Sequence, residues 1–326
     1  MFRRLAPLGL LLALPSAAPA KTLPPATTAD YAAAIGAWQA HDARLLSIGW
    51  RLARANAPLC RRTQSAIGLM LRDIRSDARP NLARAVLGIA GNLAVQAVAI
   101  GSPAEAAGLR GGDEVLAIGG AAASAAGGGS EDSLVALHAR IDAMLASQGS
   151  LNFTLSRQGG PARTVTIAGE TACRSRFVLQ RWGQAAQADG TTVRIAVRLL
   201  AETAADDEAA AMVAHELAHN ILGHRLRINA QGRNYLTVRR GEREADRLAP
   251  WLMANAGYDP AAAPRFIAAW GKRHDPGITR APTHDSYRDR MTAIAGELTL
   301  IAAARTAHSP PSILDWRAVF PDQGPE

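Results

Sequence analysis

Two histidines separated by three residues, with a glutamate beside the first, are the side chains of this protein best placed to do chemistry. They lie in HELAHNILGH, residues 215–224. On a helix, positions four apart share a face, so His215 and His219 would present their imidazoles together, with Glu216 next to them. Neutral imidazoles suit Zn2+, and a carboxylate beside a metal-bound water can take its proton. The alternative is a solvated helix with coincidental histidines. Its flanks argue otherwise: Ala211, Met212, Val213, Ala214, Leu217, Ala218, Ile221 and Leu222 make the segment apolar nearly all round, so it is expected to be buried. Buried imidazoles and a buried carboxylate need partners, and one metal ion satisfies them together. His224, five residues past His219, lies off the ligand face and reads as a supporting or structural group.

A catalytic zinc ordinarily has three protein ligands and an open position. Downstream, Glu242 and Asp246 are four apart on an expected second helix, with Glu244 pointing elsewhere. One of the pair can reach the metal while the other reaches a ligand histidine from behind. Nucleic acid is not an expected partner: the formal net charge is +8, but the basic residues are scattered, with no long Lys/Arg run and no aromatic interleaving.

The elements that must position these groups can be read in part. Asp206 and Asp207 suit a helix start, and an alanine-rich helical run is expected over 208–222. Residues 30–56 carry Tyr31, Ile35, Trp38, Leu45, Leu46, Ile48, Trp50 and Leu52 at helical spacing and predict one or two amphipathic helices. Residues 66–74 read as a strand and 75–80 as a linker. From 85 to 167 the pattern becomes short β segments punctuated by glycine: strands over 93–100, 114–118, 151–157 and 163–167, a short helix within 101–108, and a helical stretch over 133–145. The glycine-rich run 121–129 has no Lys-Ser/Thr ending and reads as a loop, not a phosphate cradle. Pro250 should kink or end the helix that carries Glu242.

The N-terminus carries a charged start at Arg3 and Arg4, an apolar run over 5–14 and small residues to Ala20, the three parts of a secretory signal with cleavage expected after Ala20. That run is too short to span a bilayer and no later segment is comparable, so no transmembrane anchor is expected and the mature chain is placed in the periplasm or cell envelope. Two cysteines, Cys60 and Cys173, in an exported chain favour one disulfide over two buried thiols.

Two resemblances follow from these residues. GSPAEAAGLRGGDEVLAIGG, residues 101–120, preceded by Leu87-Gly88-Ile89, resembles a bacterial-type PDZ domain, which places its carboxylate-binding loop where that tripeptide stands. It implies capture of a protein C-terminus by strand addition, with a mere packing element as the alternative. HELAH with the following Gly-His, then EREAD, then Ala256-Gly-Tyr-Asp259, Thr283-His284 and Arg290, resembles the zinc metallopeptidase family that includes the CAAX prenyl protease and HtpX, in its soluble exported branch. This likeness covers about residues 174–300, and residues 188–200 resemble the strand that precedes the family's catalytic helix. It implies a gluzincin with one zinc ion per chain held by His215, His219 and Glu242, with Asp246 behind a ligand histidine and Glu216 as the base. His284 and Arg290 are candidates to stabilise the oxyanion, with a structural hydrogen bond or salt bridge as the alternative. Asp285 stands where the family often has proline.

The expectation is thus an α+β chain: a signal peptide at 1–20, N-terminal helices at 21–79, a β-rich PDZ domain at 80–169, and a mainly helical zincin-type metallopeptidase domain with a small sheet at 170–326. Its expected work is zinc-dependent hydrolysis of protein or peptide substrates in envelope quality control, with the PDZ domain recruiting or gating. A chaperone-like or adaptor protein with a silent or gated site is the competing reading. A membrane-embedded prenyl protease is disfavoured by the missing transmembrane helices.

Overall fold

One long helix, α1 (Thr28–Ala55), forms the surface on which both halves of the molecule pack. Its start is fixed by a capping box, in which the Thr27 hydroxyl accepts from Asp30 N and the Asp30 carboxylate accepts from Thr27 N. The expected one or two helices are a single one. A computed structural model describes residues 27–125, 128–183, 185–274, 285–307 and 313–321 of the chain. The expected signal peptide and His284 lie outside the described residues.

After α1 the chain reaches Cys60 and then β1 (Thr63–Ala66), which pairs antiparallel with β8 (Glu170–Cys173) in the register Thr63↔Cys173 to Ala66↔Glu170. Cys60 and Cys173 are joined by a disulfide with a Cα–Cα distance of 5.5 Å and a sequence separation of 113. This neck closes on the segment between, which holds β2 (Leu69–Asp73), α2 (Pro80–Leu87), β3 (Leu93–Val98), α3 (Pro103–Ala106), β4 (Glu114–Ile118), β5 (Ala121–Ala122), α4 (Glu131–Gln148), β6 (Ser150–Ser156) and β7 (Arg163–Ala168). The strands form an antiparallel sheet in the order β2-β3-β4-β6-β7, with β5 on β4. Alternate residues Leu151, Phe153 and Leu155 of β6 turn inward onto Leu137, Ile141 and Leu145 of α4, as a half-buried strand and an amphipathic helix require.

The boundary expected at residue 80 moves to about 67. β2 runs beside β3 from Leu69↔Val98 to Asp73↔Leu93, so the strand read at 66–74 belongs to the inserted sheet, and the expected linker lies within the unit. Strand pairing is non-local, and the spacing of apolar residues in one strand does not name its neighbour.

Beyond the neck come β9 (Arg176–Gln180), β10 (Ala186–Ala188) and β11 (Thr192–Ala196), ordered β10-β11-β9, with β11 parallel to β9 and antiparallel to β10. The α-helices that follow among the described residues are α5 (Val197–Ala201), α6 (Asp206–Ile221), α7 (His224–Gln231), α8 (Tyr235–Asn255), α9 (Ala262–His274) and α10 (Tyr287–Ala307). The strand expected over 188–200 is therefore confined to 192–196, and the chain turns helical at Val197. Phe177 of β9 rests against the α1 backbone at Gly49, where an added Cβ would lie 2.3 Å from the ring. Only glycine lets helix and strand approach so closely.

Pro250 neither ends nor replaces α8, which continues to Asn255. Proline leaves the Asp246 carbonyl without its usual i+4 donor. Tertiary contacts carry the helix through: Arg247 Nε and Trp251 Nε1 donate to Glu297 of α10 at 2.6 and 2.9 Å, and Leu248, Leu252 and Met253 are fully buried. No helix among the described residues is long and apolar enough to cross a membrane.

A cross-link closing a loop of this length stabilises by about 4–5 kcal/mol in the chain-entropy picture. Replacing both Cys60 and Cys173 by alanine is expected to lower the thermal midpoint by on the order of 10 °C while leaving metal uptake intact. A midpoint unchanged by the double substitution, read by calorimetry, would show that the neck is held by strand pairing alone.

Candidate metal centre

α6 begins with Asp206, Asp207 and Glu208, whose charges suit a helix N-terminus. The helix is buried on most sides, by Ala209, Ala210, Val213, Ala214, Leu217 and Ala218 among others. His215 and His219 stand next to each other on it, their Nε2 atoms 3.2 Å apart. α8 packs across α6 and brings Glu242 to them, Oε2 3.4 Å from His215 Nε2 and Oε1 3.6 Å from His219 Nε2. Tetrahedral zinc with ligand distances of about 2.0–2.2 Å has ligand-to-ligand edges of about 3.3–3.6 Å. The three measured edges fall around that value, so these side chains could hold such an ion.

Each histidine is backed by further groups. His215 Nδ1 lies 3.0 Å from Asp246 Oδ1, and Arg290 grips Asp246 with two bonds, Nε to Oδ2 at 2.6 Å and Nη2 to Oδ1 at 2.7 Å. Burial would raise the Asp246 pKa, but Arg290 and His215 pull it down to about 2. Arg290, read as a candidate for the oxyanion, is instead committed to Asp246 and acts on the site from behind; the structural alternative is the one observed. The other candidate, His284, lies outside the described residues.

On the far side, His219 Nδ1 is 2.8 Å from His224 Nδ1, and His224 Nε2 is 3.0 Å from Glu244 Oε2. Glu244 also accepts from Arg227 Nη1 and Arg240 Nε, each at 2.7 Å. Glu244 was expected to point elsewhere; it turns from the ligand face, as its helical position demands, yet meets α7, which doubles back at Gly223 and carries His224 over His219. That return is a matter of chain path, and only the Gly-His pair after HELAH hinted at it.

In the absence of an ion the two histidines titrate far apart. Burial lowers the His215 pKa, but Asp246 and Glu242 outweigh it and hold it at about 10. For His219 burial wins, aided by the neighbouring His215 and His224 against Glu242, and pushes it down to about 3.

Glu216, nearly buried, lines the same cleft of about 530 Å³. The cleft is bounded by β10, by Met212 and Ala211 of α6, by Val238 of α8, and by Phe266, Ile267 and Trp270 of α9. Among the described residues β10 bonds to β11 on one side only, so an edge strand faces the cleft.

The tripeptide Leu87-Gly88-Ile89 does not form an open carboxylate loop. It ends α2: the N–H groups of Gly88 and Ile89 both go to Arg84 O, and Leu87 and Ile89 are buried with Ile35, Ile74, Ala83 and Ala94. The next two N–H groups, of Ala90 and Gly91, go to the carboxylate of Glu114. A groove lies elsewhere in the insert, a cavity of about 200 Å³ between β2 and α4, with Ile67, Gly68 and Leu69 at its lining. Leu46 and Trp50 of α1 and Arg176 and Phe177 of β9 wall its other side. Its strand edge is engaged, since Leu71 N donates to His138 Nε2 at 3.4 Å. Burial, with Arg176 nearby, holds the His138 pKa at about 4, so its imidazole is a neutral acceptor. Arg176 ties β9 to α4 through the Asp142 carboxylate and Val135 O.

Comparison with known proteins finds no matching family model and no matching curated relative.

Removing Arg290 would leave Asp246 as a buried carboxylate without its main counter-charge, a change of about 3–5 kcal/mol. Arg290→Met is expected to lower the thermal midpoint and zinc affinity together. Loss of turnover with both unchanged would reinstate Arg290 at the oxyanion.

Proposed function

We propose that this chain is a zinc-dependent endopeptidase of the gluzincin type, of the family that includes the CAAX prenyl protease and HtpX, acting on extended segments of protein substrates outside the cytoplasm. The observation that carries the reading is the set of three ligand edges at 3.2, 3.4 and 3.6 Å beside an acidic residue and an edge strand. A zinc ion, when bound, polarises a carbonyl and acidifies a water molecule. His215, His219 and Glu242 would hold it. Glu216 accepts the water's proton on its carboxylate and passes it to the leaving amine nitrogen. β10 offers unpaired backbone groups to an extended substrate, which fixes the scissile bond without demanding particular side chains. The apolar wall of Phe266, Ile267 and Trp270 suits unfolded chains, whose hydrophobic residues are exposed. The disulfide fits an oxidising compartment and thus export.

The inserted sheet unit, read as a PDZ domain, acts in this proposal as a gate more than as an open recruiting surface. Its groove is walled by α1 and β9, and the β2 edge that an incoming peptide would use is held by His138. β9 pairs with β11, and β11 pairs with β10 at the cleft, so a ligand that displaces Arg176 from α4 would press on the strand that binds substrate.

Two outcomes test this. Glu216→Gln is expected to keep one zinc per chain and lose hydrolysis of a casein substrate by about 10²–10⁴-fold, whereas Glu242→Gln loses the zinc itself. Equal metal loss in both variants, by elemental analysis, would show that the roles are misassigned. Arg176→Ala is expected to raise the hydrolysis of a short unstructured peptide by releasing α4 from β9; unchanged kinetics on peptide and protein alike would reduce the insert to a packing element.

A further inference from the structure

We infer that His224 is a positioning residue that fixes the tautomer of His219, held in place by Glu244 and admitted by the missing side chain at Gly241. The inference rests on the zinc reading and adds to it a second, longer support for the metal.

The proton positions follow from what each partner is able to do. Glu244, clasped by Arg227 and Arg240, is an acceptor only, so the hydrogen between it and His224 belongs to His224 Nε2. A neutral imidazole with hydrogen on Nε2 has its lone pair on Nδ1. That atom faces His219 Nδ1 at 2.8 Å, and two lone pairs cannot share so short a contact, so His219 Nδ1 carries hydrogen. The His219 lone pair is then on Nε2, the atom that faces His215 and Glu242. With hydrogen on the other nitrogen, His219 would be closed to an ion. Asp246 Oδ1 stands beside the corresponding atom of His215, Nδ1, at 3.0 Å. Each ligand histidine thus has its own carboxylate, one in contact and one an imidazole away. His224 is 4 % exposed, so water does not compete for either nitrogen.

Gly241 supplies an independent observation. It lies within α8, where glycine costs helix stability relative to alanine. An added Cβ would sit 3.2 Å from His224 Nδ1 and 3.3 Å from its Cγ, pressing on the ring at the nitrogen that meets His219. The absence of a side chain there keeps His224 seated between His219 and Glu244.

The test is zinc affinity of the full chain, by competition with a chromophoric chelator, with the visible absorption of the Co2+-loaded protein as a report on ligand geometry. Thermal midpoints of the zinc-free chains are measured alongside. His224→Leu removes the acceptor and is expected to weaken zinc binding about 10–100-fold and alter the Co2+ spectrum. His224→Asn, whose amide oxygen replaces the Nδ1 lone pair, is expected to restore binding to within a few-fold of the parent although it too loses the contact with Glu244. Gly241→Ala is expected to weaken zinc binding with α8 intact, which keeps the test decisive even if His224→Leu does not fold. Parental zinc affinity in His224→Leu or in Gly241→Ala, or equal loss in His224→Leu and His224→Asn, would overturn the assignment while leaving the zinc site standing. A parent chain that takes up no zinc would remove the zinc reading and this one with it.

Discussion

Two imidazole nitrogens 3.2 Å apart inside a covered helix impose the condition that the rest of the molecule answers. Their lone pairs repel unless a proton or a cation lies with them. Holding such a pair requires counter-charges at fixed places, and these have their own partners: buried Asp246 on Arg290, and half-buried Glu244 on Arg227 and the exposed Arg240. A buried ion pair adds little net stability, because desolvating both partners offsets most of their attraction. The arrangement is thus better explained by what it prepares for than by what it contributes to folding. α6, α8, α9 and α10 serve to keep that arrangement covered, with Glu297 tying α8 to α10 beyond the proline.

Among the described residues the insert is rooted at three places in the half that carries His215 and His219. The neck of β1, β8 and the disulfide is the first. The second is the face of α1, where Ser47 accepts from Ile100 N, Trp50 Nε1 donates to Gly101 O, and Gln96 donates to Asp42. Asp42 is buried there, and burial raises its pKa to about 6 in spite of Gln96 and two arginines nearby. The third is Arg176 on α4. The module is thus held against β9, which is joined through β11 to β10 at the cleft.

Much of the site could be read from local spacing because its chemistry obeys helical periodicity: His215 and His219 share a face, and so do Glu242 and Asp246. The helix around HELAH, β4 and the Cys60–Cys173 pair were likewise legible, the last because two cysteines in a chain expected to be exported leave one pairing. What local spacing does not carry is which distant segment arrives beside a given face. Arg290 looked available until Asp246 claimed it, and Glu244 looked idle until α7 returned His224 to it. Leu87-Gly88-Ile89 looked like a binding loop because its residue types suit one, yet those types serve equally as a helix end, with glycine in the left-handed region at φ 65°. β2 was seen as a strand, but its partner β3 lies across α2, and pairing across such a gap leaves no mark in either strand.

The most direct measurement of the central claim is X-ray absorption at the zinc edge of the zinc-loaded chain. The account predicts four-coordinate zinc with two imidazole nitrogens and oxygen donors, all at about 2.0–2.2 Å. A six-coordinate, all-oxygen shell, or a shell without imidazole scattering, would contradict it.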